Sequence, residues 1–285
     1  MILETTEAAE ANRWRGIESR TPMKWNEQSW SQIADFDKET VVVIPLGSCE
    51  QHGRHLPLFV DSIQVEELAR RVDEKLGRKI LTLPVLWLGS SHHHLDFPGT
   101  VSVTPDLFGQ MIQSITHCIL KAGFRRLFFL NGHGGNEPPA VHALSQLAVT
   151  SDAAEEAQIV VGSWWKIASG ALDPQKLGMA TPGLSHACEY ETSCLLAIRG
   201  DLVRMGEVRE GDQTVQSPWA KAGMSGKLNG FRRFRRWTSS GAMGTPAAAT
   251  REKGEQILDG VADLLAGVIE DFGRWPELEV IGPQR

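Results

Sequence analysis

Apolar residues fall along this chain in two alternating rhythms. VVVIPLG, from Val41 to Gly47, is an unbroken run of mainly β-branched residues closed by Pro and Gly. That is the pattern of a strand buried on both faces. Lys79 to Leu86, Arg125 to Gly132 (RRLFFLNG) and Gln158 to Trp164 (QIVVGSW) repeat it. Between these runs the apolar positions recur every three or four residues. Ile63, Leu68, Val72 and Leu76 follow Asp61, which is placed to cap a helix. Pro105 and Asp106 open a helix running to Ala122, ended by Gly123. Pro139 to Val149 and Cys188 to Ile198 read as further helices, and Glu252 to Phe272 as a long amphipathic one. The lead-in, residues 1–40, is polar, with a short helix around Trp30 to Ala34. Strands alternating with helices predict an α/β fold with a mostly parallel sheet.

Composition narrows the function. The chain has 285 residues, room for one large domain or two small ones, and at 41% hydrophobic and 22% charged it is an ordinary globular sequence. A formal net charge of -6 argues against a nucleic-acid or anionic-membrane binder. None of the four cysteines (Cys49, Cys118, Cys188, Cys194) forms a C-x-x-C pair. This argues against a zinc knot or a disulfide scaffold and favours a reducing cytoplasm. The first residues carry no apolar run of the kind a signal peptide needs, and no stretch is long and apolar enough to predict a membrane span. One segment stands apart. Residues 211–245 are rich in Gly and Ser, with Arg232, Arg233, Arg235 and Arg236 around Phe231, Phe234 and Trp237. It reads as a long excursion or lid. The alternative function for the whole chain is a non-catalytic anion- or nucleic-acid-binding protein that uses this basic segment.

The residues that carry chemistry follow the strands, where α/β sheets bind ligands. GSCEQHGRHLP (residues 47–57) follows the first strand. Glu50 and His52, two apart, share a face of an extended backbone, and Asp61 lies just beyond. Glu, His and Asp together offer mixed oxygen and nitrogen ligands for Zn or Mn. NGHGGNEPP (131–139) follows the third run. His133 projects from a turn in which Gly134 and Gly135 allow close approach to a ligand. HACEYETS (186–193) supplies His186, Glu189 and Glu191. On a helix the two glutamates point to different faces, so one of them faces the site and the other complements the helix N-terminus. SSHHHLDFPGTVS (90–102) carries His92, His93 and His94. Three adjacent imidazoles cannot all face one ion, so this segment reads as a site wall.

Together with the late GTPAAATREKGEQIL (244–258), these motifs resemble, in order, those of the creatininase family of amidohydrolases. The resemblance implies a single three-layer α/β/α domain spanning residues 1–285, with a lid or oligomerisation excursion at about 211–245, and commonly a hexamer. It implies two divalent metal ions, Zn or Mn with Fe as a third option. Glu50, Asp61 and His133 would hold one ion, and His52 and Asp61 the other, with Asp61 bridging and Glu191 as the remaining carboxylate. His186 matches a proton-transfer histidine. Trp165 matches a substrate-contacting tryptophan, and His93, Gly134 and Gly135 fall at the substrate. The implied reaction is hydrolysis of a non-peptide C–N bond (amide, formamide or cyclic amide) in a small molecule by a metal-activated hydroxide. The chain departs from the family's creatinine-hydrolysing members at two places. Gly134 and Gly135 stand where those members have Tyr and a metal-binding Glu, and Pro182 stands where they have a Trp. Creatinine is therefore not the expected substrate.

Overall fold

The strand that begins at Val41 is buried at every position because both of its faces carry helices. In the computed structural model, which describes residues 23–209, 232–277 and 282, β1 is Val41–Leu46, β2 Ile80–Thr82, β3 Arg126–Asn131 and β4 Gln158–Ser163. All pair in parallel in the order β2-β1-β3-β4, with Val41 opposite both Ile80 and Arg126. The helices are α1 (Trp30–Asp35), α2 (Val60–Leu76), α3 (Pro105–Lys121), α4 (Glu137–Thr150), α5 (Asp152–Glu155), α6 (Trp164–Ile167), α7 (Glu189–Arg199) and α8 (Arg251–Phe272).

Alternation along the strands sorts the core into two layers. Val41, Val43, Phe128 and Leu130 pack with Val65, Leu68 and Val72 of α2 and with Ile257, Val261 and Leu265 of α8. Val42, Ile44, Leu127 and Phe129 face the other way, onto Phe108 and Ile112 of α3 and Ala140 and Ala143 of α4. Each strand thus buries side chains on both sides, which is why the runs are continuously apolar and not alternating. The three-layer α/β/α architecture follows.

Two sequence expectations shift. The strand expected over Lys79 to Leu86 is only Ile80–Thr82 long. Pro84 has no N–H to give the ladder; pairing with β1 resumes beyond it, where the Leu86 N–H donates to the Pro45 carbonyl at 2.9 Å. Trp164, expected to end the fourth strand, begins α6. Most of the 211–245 excursion lies outside the described residues. Its described part, from residue 232, folds back over the carboxyl end of the sheet.

The connection after β1 leads to β2 on one side and that after β3 to β4 on the other. A crevice therefore opens at the carboxyl ends of β1 and β3, where loops diverge. The helix pair behind it sits unusually close: a Cβ on Gly254 of α8 would land on the Ser193 carbonyl of α7. The two helices are thereby held in close contact just past the first turn of α7, which bears Glu191.

Candidate metal centre

Segments distant in sequence meet in this crevice. The loop after β1 delivers Glu50 and His52, the first turn of α2 Asp61, the turn after β3 His133, and α7 with its approach Glu191 and His186. Glu50, His52, Asp61 and His133 are each no more than 4% exposed and Glu191 is 9% exposed.

Asp61 is at the middle. The expectation that it caps its helix is corrected: Phe59 holds the cap position without a side-chain hydrogen bond, and Asp61 lies inside the first turn. Its carboxylate is thereby free to face the crevice. Oδ1 lies 3.2 Å from His52 Nε2, and Oδ2 lies 3.0 Å from His133 Nδ1 and accepts from Ser48 Oγ at 2.6 Å. One carboxylate thus addresses two imidazoles through different oxygens. Glu50 lies beyond His133, with Oε2 at 3.2 Å from its Nε2, while Oε1 is 3.3 Å from His94 Nε2 and 3.7 Å from His186 Nδ1. Glu191 Oε2 sits 3.9 Å from His52 Nε2 and accepts the Ala187 N–H at 2.5 Å. Ala187 holds a left-handed backbone (φ 49°), unusual for a residue other than Gly.

Hydrogen bonds fix two tautomers. His186 Nε2 is 2.7 Å from the Gln51 backbone carbonyl oxygen, which can only accept, and 3.0 Å from the Gln51 side-chain nitrogen, whose two N–H bonds serve His94 Nδ1 and the Gly241 carbonyl; the proton therefore belongs on Nε2, leaving Nδ1 toward Glu50. His94 Nδ1 faces the Gln51 side-chain amide nitrogen at 3.0 Å, a donor, so His94 carries its proton on Nε2, toward Glu50.

The electrostatics describe a centre short of positive charge. Burial pushes the carboxyls of Glu50 and Glu191 up, to about 7 and about 8, with the neighbouring histidines only partly offsetting it. Asp61 is held well below its usual range against the same burial, because His52 and His133 flank it. Burial disfavours charge on His52 and His133, yet the carboxylates raise them to about 10 and about 9. His94 and His186 go the other way, driven well below 6.5 by burial and by the cationic rings beside them. Glu50 Oε2 accepts no hydrogen bond although fully buried. Among the described residues, the ion-pair partners found for Glu50, Asp61 and Glu191 are all histidines. An orphaned carboxylate oxygen among carboxylates and imidazoles is a donor set suited to divalent cations, whose binding would displace these protons. Ligand atoms of Glu50, His52 and Asp61 lie within 4.8 Å of one another, and so do those of His52, His186 and Glu191.

The sequence left open which glutamate of HACEYETS faces the site. Glu189, fully buried, is taken by the protein itself: Oε1 accepts from Lys253 Nζ at 2.6 Å and Oε2 from the Thr181 N–H at 2.7 Å. The three adjacent histidines part as well. His92 is exposed and meets Ser102, His93 stacks on His133 with centroids 5.7 Å apart, and His94 is buried against Glu50. Gly134 has open space around it, whereas a Cβ on Gly135 would lie 2.5 Å from His133 Nε2 and against the Ser90 carbonyl. Trp165 is partly buried, packs edge-on to Trp164 and lies against the core layer that includes α8. Sequence reasoning missed Ser48, which orients Asp61, and Gln51, which sets two histidine tautomers. Both lie inside the motif that carried Glu50 and His52. It also missed Phe234, whose ring covers His94 and His186.

Residues 26–269 match the family model for creatininase, described as creatinine amidohydrolase. The chain belongs to the creatininase family. Creatinine amidohydrolase of Pseudomonas putida is 28% identical over 259 residues, covering 85% of this chain and 94% of the relative. A mycofactocin precursor peptide peptidase of Mycolicibacterium smegmatis is 28% identical over 239 residues, covering 82% and 85%. A 3-dehydro-scyllo-inosose hydrolase of Thermotoga maritima is 24% identical over 290 residues, covering 93% and 90%. The crystal structure of a creatinine amidohydrolase superposes with a TM-score of 0.73 at 25% identity, covering 90% of this chain and all of that one. A mutant creatininase described as the Zn-Zn type superposes at 0.71, with 25% identity and coverage of 89% and 98%. A creatininase described as the Mn form superposes at 0.68, with 25% identity and coverage of 88% and 98%. Membership of this hydrolase family fits both the fold and the donor set. No helix among the described residues is long and apolar enough to cross a membrane.

Proposed function

We propose that this protein is a metal-dependent amidohydrolase that cleaves a non-peptide C–N bond (amide, formamide or cyclic amide) in a small molecule other than creatinine. The observation that carries the reading is the buried trio Glu50, Asp61 and Glu191, whose ion-pair partners among the described residues are all histidines. Glu50, Asp61 and His133 would hold one ion, and His52, Asp61 and Glu191 the other, with Asp61 shared between them. Zinc and manganese, found in creatininase structures, are the candidates. Ions of this kind polarise a carbonyl and lower the pKa of water toward about 7.

The chain supplies the rest. Ser48 and Ala187 fix the carboxylates of Asp61 and Glu191 by donating to one oxygen of each. His186 keeps its Nε2 proton on the Gln51 carbonyl, so Nδ1 is the atom that takes a proton and passes it to the leaving nitrogen. His93, Gly134 and Gly135 border the substrate, with Gly134 leaving open space where a side chain would intrude. Trp165, in the short helix α6 that follows β4, is the substrate-contacting tryptophan that the family resemblance implies. The replacement of the family's Trp by Pro182, with Gly134 and Gly135 beside His133, supports a substrate other than creatinine. The free, buried Cys49, Cys188 and Cys194 support a cytoplasmic setting, and family membership supports a homohexamer, with part of residues 211–245 as lid or subunit contact.

The test is elemental analysis of the purified protein, followed by a screen of formamides, lactams, hydantoin-like rings and short peptides with Zn or Mn supplied. Two metal equivalents and chelator-sensitive turnover are expected. Metal-free protein that stays inactive on supplementation overturns the reading. Creatinine turnover with kcat/KM above about 10⁴ M⁻¹s⁻¹ overturns the substrate statement.

A further inference from the structure

His55 is a buried group that the chemistry above does not use. It is 1% exposed, yet its Nδ1 meets no hydrogen-bond partner. Gly53 turns over that nitrogen with a left-handed backbone (φ 68°), and a Cβ there would lie 2.9 Å from Nδ1 and 3.3 Å from the Ala242 Cβ. Burial and the neighbouring His52 hold the ring neutral, its pKa lowered to about 4, so it brings no charge to the centre. A polar nitrogen buried without a partner costs stability that an apolar side chain in the same place would not. The other ring nitrogen makes one bond of long reach. His55 Nε2 lies 2.9 Å from Oγ1 of Thr192, itself fully buried and 137 residues further along the chain. Among the described residues this is the hydrogen bond that joins the loop after β1 directly to α7. The His55 carbonyl accepts the Arg204 N–H at 2.8 Å, which anchors the loop beside the ring. The loop also delivers His52, and Thr192 directly follows Glu191 in α7. On the same two segments His52 Nε2 and Glu191 Oε2 face each other at 3.9 Å.

We infer that His55 is a positioning residue for the ion assigned to His52, Asp61 and Glu191: through the Thr192 hydroxyl it holds the first turn of α7, and with it the Glu191 carboxylate, against the loop that carries His52. The inference rests on the hydrolase reading above and deepens it. Adjacent positions on a helix face different ways, so Thr192 is pinned to the loop while Glu191 faces the crevice. The unpaired Nδ1 is the cost of placing an imidazole where its other nitrogen can reach α7. Partners that orient a metal ligand from behind set how tightly the ion is held.

The experiment strips wild type, Thr192→Val, Thr192→Ser, Glu191→Gln and the double variant His55→Phe/Thr192→Val of metal and titrates each with zinc against a competing chelator. Glu191→Gln marks the ion in question as the one it loses. Thr192→Val should bind that ion about tenfold more weakly, as loss of a partner behind a ligand does, and the other ion as wild type does. Thr192→Ser, which keeps the hydroxyl, should bind both as wild type does. The double variant replaces both partners by apolar groups, so its metal-free denaturant unfolding should match that of wild type, while the ion in question stays as weak as in Thr192→Val. A bond that serves stability alone would lower the unfolding midpoint and leave the two affinities in their wild-type ratio. That ratio unchanged in Thr192→Val or in the double variant, or a Thr192→Ser as weak as Thr192→Val, overturns the inference. A wild type that takes up no zinc defeats the hydrolase reading instead. A crystal structure of metal-free Thr192→Val then still decides the positioning role: Glu191 moved away from His52 upholds it, and Glu191 in its wild-type place overturns it.

Discussion

Glu189 and Glu191 leave the same turn of α7, both buried, and the molecule treats them in opposite ways. Glu189 is met by a fixed cation, Lys253 of α8, and by a backbone N–H. Nothing remains for it to bind. Glu191 is met by an imidazole at 3.9 Å and one backbone N–H, and burial pushes its carboxyl up to about 8. A buried carboxylate opposite lysine is a finished structural contact. One opposite titratable groups alone stays exchangeable, and a cation can take the place of its neighbours' protons. Asp73 shows a third outcome: buried on α2 and, among the described residues, hydrogen-bonded by the Thr82 hydroxyl at 3.0 Å, its carboxyl is raised by burial to about 6 and keeps a proton more readily than in water.

The sharpest way to break this contrast is at its centre. Asp61→Ala should remove both ions and turnover with them, while Glu50→Ala or His133→Ala removes less metal. Two metals retained in the Asp61 variant, by elemental analysis, would end its bridging role. His186→Ala should keep both ions and lose about 10²–10⁴-fold in turnover; if metal departs as well, His186 is a ligand. The helix pair comes next. Lys253→Met strands Glu189 as an uncompensated buried charge and should cost about 3–5 kcal/mol in denaturant unfolding without altering metal content. Glu191→Gln should do the reverse, losing one ion at nearly unchanged metal-free stability. Equal behaviour of the two variants would erase the distinction drawn here.

The smallest effect concerns Asp73. Its folded pKa is raised, so the native state binds more protons than the unfolded chain. Stability is therefore lost as pH rises from near 4 through about 6. Asp73→Asn should gain about 2 kcal/mol at pH 7 and almost nothing at pH 3. A gain that does not vary with pH would show that the charge is already compensated.

The sheet and the loops that bear Glu50, His52, Asp61 and His133 were legible in the chain because local rules govern them. Continuous apolar runs make two-sided strands, and ligand-type residues follow directly on two of them. What was not legible depends on partners far away in sequence. Choosing between Glu189 and Glu191 requires knowing that Lys253 arrives on one side of α7. Sorting His92, His93 and His94 requires the position of Gln51, Ser102 and Phe234. Asp61 reads as a cap because Asp favours that position, yet the cap falls two residues earlier, at Phe59, and frees the carboxylate. The arginines near Phe234 read as free basic groups, because Asp96, which binds two of them, sits in another motif.

The near-contact of Gly254 with the Ser193 carbonyl carries a consequence for how the protein reaches its native state. α8 packs on α7 from about sixty residues further along the sequence, through the contact of Gly254 with Ser193. The carboxylates of the centre, at positions 50, 61 and 191, therefore depend on contacts far apart in the sequence, and long-range closure of that kind is slow. Until then the segments that bear them are separate and solvated. A metal ion supplied during refolding would stabilise the native state by mass action, and it would find its full set of ligands only once Glu50, Asp61, His133 and Glu191 have come together.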